Sequence, residues 1–286
     1  MDSSTPIITR KLAPTFGLEI KGLRIAGDMA SETFSTVLDL FHTHHILVLK
    51  TGGLEPADQV AFSKLFGPLE VHAERRFIHP SHPEIFCVGN AAKDGVPIAA
   101  LSVGVEQWHV DSSYRRVPST ASLFYGHTVP PEGADTAFAD AVAAYQGLPE
   151  QTKQRIEGLR AVHDYEYFDG WLRVLNPDRR PYTDELRRDF PPVSHPLVRT
   201  HPVTGRKSLL ICPAVTSHIE GLDFKAGRAL IDALAVHMAQ SKYVYRHRWT
   251  QGDLVMWDNR CTLHTATPFD HTRYQRLMYR TTIAGA

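Results

Sequence analysis

The chain has 286 residues, 43% of them hydrophobic, and its 31 basic side chains are balanced by 31 acidic ones. That length and apolar content suit one globular, enzyme-sized domain with room for a large core. A formal net charge of zero and the lack of a long basic run exclude an overall field that would steer the chain to nucleic acid or to an anionic membrane.

In chain order, "GLEIKGLRI" (17–25) alternates apolar and polar residues like a half-buried strand. "SETFSTVLDLFHTH" then carries Phe34, Val37, Leu38 and Phe41 at helical spacing behind Ser31, a candidate cap. "HILVLK" reads as a strand, and "EPADQVAFSKLFG" as a short helix with Pro56 in its first turn and Gly67 past its end. From residue 86 onward, short β-branched and aromatic runs punctuated by Gly and Pro predominate, from "IFCVGN" through "STASLFYGHTV" and "DLVMWD" to "LMYRTTIAG". Many antiparallel strands follow, interrupted by helices at about 137–158 and 223–239. The expected fold is mainly β with flanking helices: a closed barrel or jelly roll that leaves a cavity at one mouth. One domain is expected over 1–286. Its segment at about 165–193, rich in aromatics, charges and prolines without a clear period, reads as a lid insertion over that mouth.

The three scattered cysteines, Cys87, Cys212 and Cys261, form neither a disulfide framework nor a zinc ribbon. The N-terminus lacks the charged start and apolar core of a signal peptide, and nothing approaches ~20 uninterrupted apolar residues. A cytoplasmic location is expected, with a small anionic substrate and further copies of the chain as partners, and neither nucleic acid nor membrane.

"WHVDSSY" (108–114) carries the first chemical signal. Residues two apart on a strand face the same side, so His109 and Asp111 can share a metal ion while Val110 points away. The pair alone is weak, because such spacing is common by chance. A third ligand is available at His264 in "GDLVMWDNRCTLH", where an apolar run marks a core strand, Asp258-Asn259-Arg260 a bend, and His264 the strand's resumption. Two histidines and one carboxylate form the facial set that holds non-haem Fe(II) with open positions for a cosubstrate and O₂. Iron that activates O₂ needs electrons, which a chelating 2-oxo acid supplies, and its far carboxylate needs a cation. "RLMYR" offers Arg276 and Arg280 on one strand face, roughly 13 Å apart at ~3.3 Å per residue, able to serve two different anions. A zinc hydrolase also uses two histidines and an aspartate, but has no need of a buried distal arginine.

His109-Val110-Asp111, "GADT" ending at Thr136, "GDLVMWDNRCTLH" and "RLMYR" together resemble the taurine / 2,4-dichlorophenoxyacetate dioxygenase family of Fe(II)/2-oxoglutarate-dependent oxygenases. "FSKLFGPLE", "LPEQTKQRIEGLRAVHD", "HPLVRTHPVTGRKSLL" and "VYRHRW" extend the likeness over nearly the whole chain, with wording closer to the aryloxyalkanoate branch. The resemblance implies a double-stranded β-helix (jelly roll, cupin-like). It further implies His109, Asp111 and His264 as iron ligands, and Thr136 and Arg276 on the distal carboxylate of 2-oxoglutarate. Arg280 and His72 would bind the acid group of the prime substrate. Arg75 and Val105 stand where taurine enzymes place a tyrosine and an asparagine, which points away from taurine and toward an aryloxyalkanoate or other carboxylate, a sulfonate or sulfate ester being the alternative. The implied reaction hydroxylates that substrate, with cleavage of an adjacent C–O bond, and releases succinate and CO₂. Tyr165, Tyr167, Phe168 and Trp171 are candidates for an apolar substrate wall, whereas Trp108 and Trp257 are expected to pack beside the ligands.

Overall fold

The computed structural model describes residues 7–72, 74–101, 107–175 and 181–285. Its largest sheet has eight strands in the order Ile8–Lys11, Leu18–Lys21, Ile46–Lys50, Asp253–Asp258, Ala121–Thr128, Leu277–Ile283, His82–Gly89 and Ile78–His79. Every pairing is antiparallel except Leu18–Lys21 with Ile46–Lys50. That parallel pair is joined by the helix Ser31–His44, the crossover a parallel connection requires. A three-stranded sheet, Val244–His247, Thr136–Asp140 and Thr262–Ala266, supplies the second layer.

Alternation along each strand sorts side chains between these layers. Ile46, Val48, Phe124, Val255, Trp257 and Met278 of the large sheet pack with Phe138 of the small one. Their neighbours Leu47, Leu49, Leu123, Leu254 and Met256 face the other way and bury Val37, Phe41, Val60 and Phe62 of the helices Ser31–His44 and Pro56–Lys64. On the far side of the small sheet, Ala139 and Leu263 pack with Leu230, Ile231, Leu234 and Met238 of the helix Phe224–Met238. The result is a jelly roll sandwiched by helices, and its inner face is where Arg280 and His264 emerge. The large sheet does not close on itself, so the expected closed barrel is corrected to two facing sheets.

Four local expectations also change. Ser31 is the first helical residue and Ala30 the cap, with no side-chain cap bond. Residues 137–140 continue the buried strand Thr136–Asp140; Asp140 then caps the helix Ala141–Gln146 by accepting from Val142 N at 3.0 Å and Ala143 N at 2.9 Å, and Glu150–Ile156 forms a separate helix. Segment 165–193 contains the helices Tyr165–Leu175 and Asp184–Asp189, started by Asp164 and Thr183, whose side chains accept from the first-turn amides. Finally, His109 lies in an isolated bridge to His264 rather than in a strand, and Asp111 opens a turn that forces Ser112 to φ 56°. No helix of the described residues is long and apolar enough to cross a membrane.

Candidate active site

The bridge makes the site. His109 N donates to His264 O at 3.0 Å and His264 N donates to His109 O at 2.9 Å, which brings the two imidazoles to a centroid separation of 4.1 Å. Val110 points into the outer core, its amide donating to Cys212 Sγ, so Asp111 turns back toward the histidines. The ligand atoms of His109, Asp111 and His264 lie within 4.8 Å of one another, with His264 Nε2 3.8 Å from Asp111 Oδ1.

The electrostatics suit a cation. Burial, seconded by His109, pushes His264 down to about 3, so its imidazole is neutral and has a lone pair to offer. His109 Nδ1 sits 2.8 Å from the Gln107 carbonyl, which makes Nδ1 the donor and leaves Nε2 free to ligate. Burial raises the Asp111 carboxyl, but Arg280, the two histidines and a 2.7 Å hydrogen bond from Ser122 together hold it well below the usual carboxylate range. Two imidazole nitrogens and an ionised carboxylate at this spacing fit a divalent ion.

Arg276 lies one residue before the strand Leu277–Ile283, not within it, pinned by Asn90: its N–H donates to Asn90 Oδ1 at 2.7 Å, and its carbonyl accepts from Asn90 N at 3.1 Å. Gly89 permits this approach, since a Cβ there would meet Arg276 O at 2.0 Å. The Arg276 side chain is buried with its Cζ 5.5 Å from the Phe124 ring centroid, and its Nε has no partner. No carboxylate of the described residues pairs with it, and burial alone pushes the guanidinium down to about 10. Trp249, also edge-on to Phe124, donates to Thr136 Oγ1 at 3.0 Å, leaving the threonine hydroxyl hydrogen free to donate. A buried unpaired cation on one side of the Phe124–Trp249 pair and a hydroxyl held by that tryptophan fit the carboxylate of a bound acid.

Arg280 emerges on the inner face, donating to Asp111 Oδ1 at 3.1 Å, with its guanidinium 5.5 Å from the Phe86 ring centroid. His72 stacks on the same ring at 3.7 Å, and burial pushes it down to about 4. Arg75 is exposed and Val105 lies outside the described residues. From the segment after 164, Tyr165 packs on Tyr114 at 4.5 Å and on Phe190 at 5.3 Å, Phe168 lies 6.0 Å from Tyr165, and Trp171 stacks behind Phe168. Tyr167 instead turns outward under Arg228.

The sequence reading missed Glu70, Tyr114, Arg115, Ser122 and Asn259. Ser112 Oγ donates to Glu70 at 3.4 Å and Arg115 stands 4.0 Å from it, beside Arg280. Only "WDN" carries a local signal, and by itself it marks a bend. A second cluster, His45, Asp258 and Cys261, also has ligand-type atoms within 4.8 Å, but Asp258 is already bonded by Arg260 and His201 and His45 by Arg206. Those bonds, two of them from arginines, make it a structural knot rather than a metal site.

A jelly roll that gathers two histidines, a carboxylate and a buried free arginine defines a 2-oxo-acid-dependent non-haem iron oxygenase. The chain belongs to the family described as taurine catabolism dioxygenase TauD, TfdA family, whose pattern matches residues 8–282. It is 36% identical to the alpha-ketoglutarate-dependent 2,4-dichlorophenoxyacetate dioxygenase of Cupriavidus pinatubonensis, covering 98% of this chain and 99% of that one. It is 34% identical to the (S)-phenoxypropionate/alpha-ketoglutarate-dioxygenase of Sphingobium herbicidovorans, over 96% and 93% of the two chains. Among solved structures, AAD-2 in complex with Mn(II) and N-oxalylglycine superposes with a TM-score of 0.84 at 33% identity, covering 99% of this chain and 98% of that one. The protein is therefore an Fe(II)- and 2-oxoglutarate-dependent dioxygenase acting with O₂ on a small anionic substrate, as the sequence led one to expect.

Proposed function

We propose that His109, Asp111 and His264 hold the ferrous ion, that Thr136 and Arg276 take the distal carboxylate of 2-oxoglutarate, and that Arg280 and His72 receive the acid group of an aryloxyalkanoate. The observation that carries the reading is the unpaired, buried Arg276: a structural arginine this deep would have a carboxylate partner. Bound together, Fe(II), 2-oxoglutarate and O₂ supply the oxidant that hydroxylates a C–H bond while 2-oxoglutarate becomes succinate and CO₂.

The chain's own groups supply placement. Arg280, whose Nη1 donates to Asp111 Oδ1, would take the substrate acid with its other N–H groups and so set one C–H bond of the adjacent carbon by the ligand set. Phe86 floors that position, and Tyr114, Tyr165 and Phe190 form an aromatic wall on which an aryl ring can lie. The helices of 165–193 act as the lid of a single domain, their aromatics excluding water. Hydroxylation at the carbon bearing the ether oxygen gives a hemiacetal, which falls apart into a phenol and a carbonyl acid. Three buried free cysteines suit the reducing cytoplasm.

A panel of aryloxyalkanoates, alkylsulfonates and sulfate esters, assayed for succinate and phenol release with Fe(II) and 2-oxoglutarate, tests this. Aryloxyalkanoates are expected to give both products in equal amounts. Succinate release with sulfonates or sulfate esters alone would overturn the substrate class.

A further inference from the structure

Beneath Asp111 lies a closed chain of buried polar groups that the metal reading leaves unexplained. Trp257 Nε1 donates to Asn259 Oδ1 at 3.0 Å; Asn259 Nδ2 donates to Ser122 Oγ at 3.1 Å and to Ser119 Oγ at 3.0 Å. Ser122 Oγ donates to Asp111 Oδ2 at 2.7 Å, and Ser119 Oγ to the Asp111 carbonyl at 3.2 Å. All four side chains are buried to 2% exposure or less, so water cannot substitute for any link.

The direction of every bond follows from one residue. An indole N–H can only donate, so the Asn259 atom facing it is the carbonyl and both remaining amide hydrogens point at the serines. Each serine oxygen therefore accepts from Asn259, and its single hydrogen is left for Asp111. Oδ2 of the carboxylate is held by that buried hydrogen, while Oδ1 lies on the histidine side, 3.8 Å from His264 Nε2, and accepts there from Arg280 Nη1 at 3.1 Å. The Trp257 ring also leans on His264 at 4.8 Å, so one residue braces two of the three ligands.

We propose that Asn259 is a positioning residue which, held by Trp257 and acting through Ser122, fixes Asp111 as a one-oxygen ligand offering Oδ1. The inference rests on Asp111 being a metal ligand. Without the amide, the Ser122 hydroxyl can rotate away, and the carboxylate can turn to present either oxygen or both. Groups of this kind, bonded to a ligand rather than to the ion, typically account for 10–100-fold in metal affinity.

The test is a Mn(II) titration of the intact protein, read as loss of the free-ion electron paramagnetic resonance signal, with Tm measured on the same samples. Ser122→Ala and Asn259→Ala are each expected to raise the Mn(II) Kd about 10–100-fold, and Trp257→Phe to raise it by less. The double variant Ser122→Ala/Asn259→Ala should exceed the weaker-binding single variant by no more than about threefold, because the two act in series. Ser208→Ala removes a buried hydroxyl that, among the described residues, bonds Arg260 O alone, and should leave Kd unchanged. If Asn259→Ala does not fold, Ser122→Ala and Trp257→Phe decide the matter. A lowered Tm with wild-type Kd in these variants would overturn the proposal. Asp111→Ala binding Mn(II) as tightly as wild type would instead overturn the ligand assignment on which it rests.

Discussion

Replacing Arg276 with methionine separates an anion anchor from a structural cation. Burial pushes the guanidinium down from its ordinary value to about 10, a desolvation cost of about 3 kcal/mol. No carboxylate of the described residues offsets that cost, so an apolar side chain of similar length over Phe124 should leave Tm unchanged or a few degrees higher. Two charge-assisted bonds to a carboxylate contribute about 1.5–3 kcal/mol each, and at the low end their loss weakens 2-oxoglutarate binding by roughly 150-fold. Differential scanning fluorimetry with Mn(II) reads both effects. At about 100 times its Kd, 2-oxoglutarate stabilises wild type by ~2.7 kcal/mol, several degrees in Tm, and the variant should show no such rise at that concentration. A variant that loses many degrees by itself, yet still gains them back with 2-oxoglutarate, would refute the reasoning and mark Arg276 as structural.

Other consequences are as direct. Gly89→Ala places a methyl group 2.0 Å from Arg276 O, so Asn90 and Arg276 must move; weakened 2-oxoglutarate binding together with a Tm loss is expected, and a wild-type binding isotherm would refute the coupling. Arg280→Ala should raise the KM for an aryloxyalkanoate at least about 30-fold, on the 2–5 kcal/mol typical of a truncated buried charge partner, while that for 2-oxoglutarate changes little; equal effects on both would count against separate roles for the two arginines. His163 is pushed down to about 3 by burial and by His195, so between pH 6.5 and 3 the unfolded chain binds a proton that the folded chain refuses, and stability falls as pH falls through that window. His163→Phe should flatten the slope of unfolding free energy against pH there by about 1.4 kcal/mol per pH unit; chemical denaturation at pH 4.5 and 6 with an unchanged slope would show that His163 is not buried neutral.

What was legible beforehand had local causes. The strand Asp253–Asp258 announced itself as an unbroken apolar run, and His264 followed its bend, so a third ligand could be named far along the chain from His109 and Asp111. Helix Phe224–Met238 was visible because its buried positions recur at helical spacing. Residues 165–193 show no clear period in the sequence, since their first helix is set by Asp164 and by aromatics such as Tyr165 that pack on Tyr114, 51 positions earlier in the chain.

The amino-acid order alone determined the residue types and periodicities, hence a β-rich core, three ligands and two arginines. Which arginine is buried without a partner, which carboxylate oxygen faces the histidines, and how Trp257, Asn259 and Ser122 join beneath Asp111 were decided only by the tertiary structure. The physical reason is range. Periodicity records which face of an element is dry, one element at a time. Hydrogen-bond direction and charge pairing depend on atoms a few ångströms apart that belong to strands more than a hundred residues distant, and only packing brings them within reach.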